Sequence, residues 1–258
     1  MSRVIAVTNQ KGGVGKTTTA VNLAACLAQG GKRVLLVDLD PQGNATMGSG
    51  VDKRDLKATL YQVLLGLAAA DSVKKTSEAG QFDLLPANRD LAGAEVELIG
   101  LEHRESRLQA ALAPLQERYE FIFIDCPPAL NMLTLNGLVA ADAVMIPMQC
   151  EYYALEGLSD LVNTIKRVRQ HLNPRLEIEG LLRTMFDPRN TLAQQVSAQL
   201  QTHFGAKLYA TVIPRNVRLA EAPSYGVPAV SFDRTCKGSV AYLQLATELL
   251  QRQAEALV

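Results

Sequence analysis

Cysteine is scarce in these 258 residues, and the few present stand far apart. Cys26, Cys126, Cys150 and Cys236 form no Cys-x-x-Cys pair, which argues against a zinc site built from clustered thiolates. A chain of this length is also no small disulfide-stapled scaffold, so reduced thiols are expected. Excess charge of one sign is missing as well, because 26 basic side chains cancel 26 acidic ones. Net charge therefore points to no nucleic-acid partner, although a neutral chain can still carry a local basic patch. Long hydrophobic runs are lacking too. The first apolar stretch, Val4 to Val7, follows one basic residue and gives way to Thr8-Asn9-Gln10, too short for a signal sequence or a membrane span. There is no internal repeat, low-complexity tract, linker or apolar-poor tail. With 48% hydrophobic and 20% charged residues, positions 1–258 read as one cytoplasmic domain with a substantial core.

What the chain does have is alternation. Short β-branched runs occur at Val4–Val7, Val34–Val37, Phe121–Ile124, Ala143–Ile146, Ile178–Met185 and Ala210–Ile213, with a weaker one at Phe82–Leu85. Nearly continuous apolar strands are those buried on both faces, as in a parallel sheet covered by helices. Helical periodicity fills the gaps at Thr17–Gln29, Arg104–Arg118, Thr134–Ala140, Leu155–Leu172, Leu192–Phe204 and Gly238–Ala256. The expectation is an α/β fold of the P-loop type, a doubly wound, mostly parallel sheet of about seven or eight strands flanked by helices. Residues 50–80 carry the weakest pattern and are expected to form peripheral helices and loops.

The informative segment is Lys11-Gly12-Gly13-Val14-Gly15-Lys16-Thr17-Thr18, directly after the first strand and directly before the first helix. Glycines let the backbone curl so that its N–H groups converge on phosphate oxygens, and the helix N-terminus adds partial positive charge. Lys16 then reaches the β- and γ-phosphates of ATP, and the Thr17 hydroxyl is a ligand for Mg²⁺. Lys11 is superfluous to an ordinary phosphate loop. It is either a solvated surface lysine or a cation that meets the nucleotide of a facing subunit, as an arginine finger does in trans.

Two acidic strand ends complete the centre. The second strand runs into Asp38-Leu39-Asp40-Pro41-Gln42-Gly43-Asn44, and another ends in Asp125-Cys126-Pro127-Pro128. Carboxylates at the C-terminal ends of parallel strands lie where such sheets bind ligands. Asp125 suits a role holding Mg²⁺ through water, and Asp40 suits the orientation of an attacking water. Asp38 reads equally well as an aspartate that only caps its turn.

With these residues assembled, the chain resembles the ParA/Soj family of partitioning ATPases, relatives of MinD that carry a deviant Walker A loop. The likeness runs nearly end to end, through Lys11 to Thr19, Val34 to Thr46, Ile124 to Pro128, Gln149 to Gly157 and Val212 to Pro223. It implies an ATP sandwich homodimer crossed by Lys11, with Gly12 at the close contact and Asp40 needed for hydrolysis. It further implies adenine surroundings at Met185, Pro214 and Asn216, with Glu151 a further candidate nucleotide contact beside Gly13, Val14, Gly15 and Thr18. Weak ATPase activity, release by a ParB-like centromere-binding partner, and sequence-independent DNA binding in the nucleoid also follow from the likeness. The matching DNA positions are Arg189 and Arg218, then Arg215, Arg234 and Lys237, each of which is otherwise a solvated surface charge.

Some positions depart from the family pattern. Arg183 stands in an apolar strand, where its charge must reach an edge or a partner. Pro188 precedes Arg189, and Asp233 to Gly238 differs from the usual sequence. A MinD-like switch acting on a membrane or protein scaffold is the alternative. It would want a basic amphipathic tail, whereas Leu249 to Val258 has one basic and one acidic residue, so no membrane partner is expected. An iron–sulfur reductase would need a second cysteine near Cys126, and residues 80–120 contain none.

Overall fold

The computed structural model describes residues 2–255. Eight strands form one sheet: β1 Arg3–Val7, β2 Val34–Asp38, β3 Lys75–Ser77, β4 Phe82–Leu85, β5 Phe121–Asp125, β6 Ala143–Met148, β7 Glu177–Phe186 and β8 Leu208–Pro214. The helices are α1 Lys16–Gln29, α2 Asn44–Gly48, α3 Leu60–Leu64, α4 Ala70–Val73, α5 Leu91–Glu97 and α6 Arg107–Leu112. After them come α7 Met132–Ala140, α8 Ala154–His171, α9 Thr191–Phe204, α10 Val217–Glu221, α11 Ala229–Phe232 and α12 Lys237–Glu255. Ala256, the last position of the expected C-terminal helix, lies outside the described residues, as do Leu257 and Val258.

The strand order is β3-β4-β2-β5-β1-β6-β7-β8, parallel throughout except for β3, which pairs antiparallel with β4. Alternate side chains of each strand enter opposite cores, as the two-residue strand period requires. Val4, Ala6, Leu35, Val37, Ile122 and Ile124 face the layer that includes α3, α7 and α8. Ile5, Val7, Leu36, Phe121 and Phe123 face the layer of α1 and α12. Helix α1 is rich in alanine and leucine, residues that lose little freedom in a helix. It buries Leu23 and Leu27, and it stops where Gly31 turns left-handed at φ 85°.

Edge strand β8 has a cover. Helix α12 extends Glu248 over it, and the amides of Ala210 and Thr211 each donate to that carboxylate at 2.8 Å. Arg252, four residues on, donates to the carbonyl of Leu208 at 2.8 Å and lies 4.1 Å from the Tyr209 ring. Outward-facing amides that would otherwise invite another strand are thereby satisfied.

Three local expectations need correction. The pattern at Arg104–Arg118 is not one helix: 3-10 turns at Arg104–Ser106 and Ala113–Arg118 bracket α6. Pro114 has no amide to donate and its ring crowds the preceding turn, so the α-helix cannot run through it. Residues 50–80 are not only helix and loop, since the polar segment Lys75–Ser77 pairs as an edge strand. Helices α2, α5, α10 and α11 have no counterpart among the expected segments.

Candidate functional site

The centre forms at the C-terminal ends of the inner strands. Val7 of β1 is in register with Asp125 of β5, and Asp125 with Asp38 of β2. Asn9 anchors the chain as it leaves β1, its amide donating to the carbonyl of Pro147 at 2.9 Å while its side-chain oxygen accepts from Lys11 N at 3.0 Å. The loop then turns through Gly13 at φ 72° and Gly15 at φ 86°, where any side chain would be strained, before α1 begins. Val14 at its crest is fixed from β7, where the Thr184 hydroxyl donates to the Val14 carbonyl at 2.8 Å.

The two lysines of this loop are placed differently. Lys16 is buried, with its Nζ donating to the Lys11 carbonyl at 3.0 Å. Burial pulls its ammonium pKa down, against the opposing carboxylates of Asp125 and Asp40. The Lys11 side chain is half-exposed on the rim and forms an ion pair with Glu151. An added Cβ on Gly12, the exposed residue between them, would meet no atom within 4 Å.

The neighbouring aspartates separate by what holds them. Asp38 accepts from the amide and hydroxyl of Thr46, both at 2.7 Å, and from Asp40 N at 3.2 Å. Those bonds tie down the loop after β2, so the capping role is the one its contacts favour. Its pKa is nevertheless pushed up to about 6, because burial outweighs the hydrogen bonds. Asp125 is equally buried, yet neither of its oxygens has a hydrogen-bond partner among the described residues. Burial, and then the charge of Asp38, hold its carboxyl well above the usual range; the nearby Thr17 hydroxyl opposes that shift without making a bond of ordinary geometry. A buried acid with both oxygens free, beside a threonine hydroxyl and a lysine, fits a hydrated Mg²⁺ on a polyphosphate. Asp40 is half-buried; one carboxylate oxygen accepts from Gln42 N at 2.9 Å, and its carbonyl accepts from Gly43 N at 2.8 Å. A Cβ on Gly43 would lie 2.7 Å from the Ala87 carbonyl, so that turn requires glycine.

Met185, Pro214 and Asn216 come together with Gly15 and Thr18 around a cavity of 180 Å³ beside the loop. Met185 is left-handed at φ 50°, an uncommon conformation that cavities of this kind often hold. Asn216 caps α10, its oxygen accepting from Arg218 N at 2.9 Å, which leaves its NH₂ free to donate elsewhere. Arg215, expected among the DNA contacts, lines the same cavity, whereas Glu151 does not. Thr184 and Gln149 were not singled out as site residues, although Gln149 opens a segment that carries the family likeness; Gln149 donates to the Met185 sulfur at 2.9 Å. The signal for Thr184 was a hydroxyl in an otherwise apolar strand, immediately before the turn. On the other side of α1 a hollow of 420 Å³ is walled by Thr17, Thr18, Asn44, Met47 and Pro223.

The basic residues are less free than their charge suggests. Arg189 turns back onto Asp187 at 2.8 Å. Arg218 pairs with Glu221 at 2.8 Å and with Asp233 at 3.7 Å, its guanidinium 5.8 Å from the Phe232 ring. Arg234 donates to Gln29 at 3.2 Å, and exposed Lys237 opens α12. Arg183 reaches the carbonyls of Tyr209 and Ala210 at 2.7 and 3.1 Å where the register between β7 and β8 shifts, so its charge finds partners at the sheet edge. Cys126, Cys150 and Cys26 are buried, and burial pushes the Cys150 thiol up to about 11.

A family model described as an AAA domain matches residues 2–178. The sporulation initiation inhibitor protein Soj of Bacillus subtilis is 53% identical over 249 residues, 96% of this chain and 98% of that one. The chromosome partitioning protein ParA of Caulobacter vibrioides is 52% identical over 256 residues, 98% and 96% of the two chains. Among solved structures, one named cobyrinic acid a,c-diamide synthase from Mycobacterium smegmatis, with bound ATP analog and magnesium, superposes with a TM-score of 0.88. It is 41% identical and covers 98% of this chain and 96% of its own. A likeness so even along the chain, joined to a phosphate loop with a second lysine, makes this protein a member of the ParA/Soj family of partitioning ATPases.

Proposed function

We propose that this chain is a nucleotide-operated switch: it binds Mg·ATP, closes face to face with a second copy, and in that form holds DNA without reading its sequence. One observation carries the reading. The loop has two lysines with separate assignments, a buried one at the base and a half-exposed one on the rim. Lys16 suffices for the chain's own phosphates, which leaves Lys11 to reach a triphosphate bound by the facing copy. Gly12 supports this, since nothing within the chain forbids a side chain there. Close approach of a second copy or of a ligand would.

Each residue then has a task. The backbone of Gly12 to Thr18 and the Lys16 ammonium bind the phosphates, and Met185, Pro214 and Asn216 enclose the base. Thr17 and Asp125 would hold Mg²⁺, Asp125 through water, and when bound the ion would supply positive charge beside the phosphates. Asp40, with one oxygen tied to Gln42 N and the other free, orients the attacking water. Arg218, Arg234 and Lys237, with Arg189 and Arg215, offer phosphate contacts that dimerisation doubles, so a neutral chain gains DNA affinity only when paired. A ParB-like protein accelerates hydrolysis and resets the switch, which places the cycle in the cytoplasm on the nucleoid. No helix among the described residues is long and apolar enough to cross a membrane. The synthase from Mycobacterium smegmatis is 41% identical to this chain and the partitioning proteins are 52–53% identical, which favours partitioning.

Size-exclusion chromatography with ADP or ATP, each with and without duplex DNA of arbitrary sequence, tests the reading. A dimer and DNA co-elution with ATP alone are expected. A monomer in every condition would refute it.

A further inference from the structure

Glu151 has no role in the cycle just described, yet it holds the lysine on which that cycle depends. The residue sits three positions beyond the end of β6, in a tight turn where Glu151 N donates to the Gln149 carbonyl and Ala154 N to the Glu151 carbonyl, both at 3.0 Å. Its carboxylate pairs with the Lys11 ammonium, and the two side chains are 51% and 47% exposed, so both remain accessible to a second chain. The backbone of Lys11 is engaged as well, because its carbonyl accepts the Lys16 ammonium at 3.0 Å. Both cations of the loop are thus parked on groups of their own chain. Beside the pair, Tyr152 and Tyr153 are 75% and 70% exposed and stack edge to face with ring centres 5.0 Å apart. Two adjacent, largely uncovered aromatic rings on a charged rim are the composition of a surface that another surface covers.

We infer that Glu151 is a positioning residue that parks Lys11 in the unpaired chain and sets how readily two copies close. The inference rests on the sandwich-dimer reading. A carboxylate carries one negative charge and a triphosphate several, so Lys11 leaves Glu151 when a facing chain presents ATP. With ADP the opposing charge is smaller and further away, and the intramolecular pair persists. Each closing dimer breaks two such pairs by symmetry, so the effect of one exposed ion pair on the dimer constant is squared.

Analytical ultracentrifugation of the full chain with a non-hydrolysable ATP analogue reads this directly, comparing wild type with Glu151→Gln and Glu151→Asp. The Gln variant is expected to dimerise with a dissociation constant about twofold to about thirtyfold lower at low ionic strength. The gap should close between about 0.05 M and about 0.5 M salt, as screening weakens the exposed pair; a merely structural role would give no such dependence. The Asp variant, which keeps the charge on a shorter stem, should fall between the two. Equal or weaker dimerisation of the Gln variant overturns the inference while leaving the switch intact. If wild type itself stays monomeric with the analogue, the proposed function fails and takes the parked lysine with it.

Discussion

Asp38 and Asp125 sit side by side in register on neighbouring strands, and both are fully buried. What separates them is Thr46, whose amide and hydroxyl engage Asp38 and leave Asp125 without a partner. The sequence already set Asp125 apart as a holder of Mg²⁺ and left Asp38 open as a cap, but the Thr46 bonds that separate them were not legible. The third aspartate makes the sharper prediction. Asp40→Ala should dimerise on ATP and hold DNA, while steady-state phosphate release falls by about a hundredfold or more. Normal turnover in that variant would remove Asp40 from the reaction. Lys11→Ala is its counterpart: nucleotide binding measured by calorimetry should survive, and ATP-dependent dimerisation should be lost. Unchanged association would leave the rim lysine with no task.

Among the elements, the edge strand β8 is held by two side chains of α12, Glu248 and Arg252. Glu248 is drawn up by burial, but hydrogen bonds from Thr211, Ala210 and Arg252 win, and its pKa lies below the ordinary value. A carboxylate depressed on folding stabilises the protein fully above its unfolded pKa, near about 4.3, and loses that contribution as pH falls through its folded value. Glu248→Gln should therefore lower the urea midpoint at pH 7, by about 1–3 kcal/mol in unfolding free energy. The difference from wild type should shrink below about pH 4. A constant difference across that range would show that packing, not charge, fixes the edge. Seven of the eight strands were legible as apolar runs, because burial on both faces demands them. Lys75–Ser77 was not, since a three-residue edge strand needs no apolar side and carries none in a legible pattern. The course of the loop from Lys11 to Thr18 between β1 and α1 was legible, because its left-handed turns at Gly13 and Gly15 call for glycine. The cavity wall at Met185, Pro214 and Asn216 entered only through the family resemblance, because it is assembled from the ends of two strands distant in sequence from the loop.

For the molecule as a whole, 26 positive and 26 negative side chains make any DNA affinity a matter of arrangement. Arg218 is partnered by Glu221 and Asp233 and shielded on one side by Phe232, so a single chain presents little free charge there. Arg218→Glu should abolish DNA retention at low salt without changing ATP affinity, and wild-type retention should fall steeply and equally for any sequence as salt rises. Retention that survives the substitution would move the contact surface elsewhere. The bond from the Thr184 hydroxyl to Val14, by contrast, joins the seventh strand to the crest of the phosphate loop. The loop that leaves β1 is thereby tied to a strand two places along the sheet. A displacement of the outer strands would therefore reach the loop's crest without passing through the strand between.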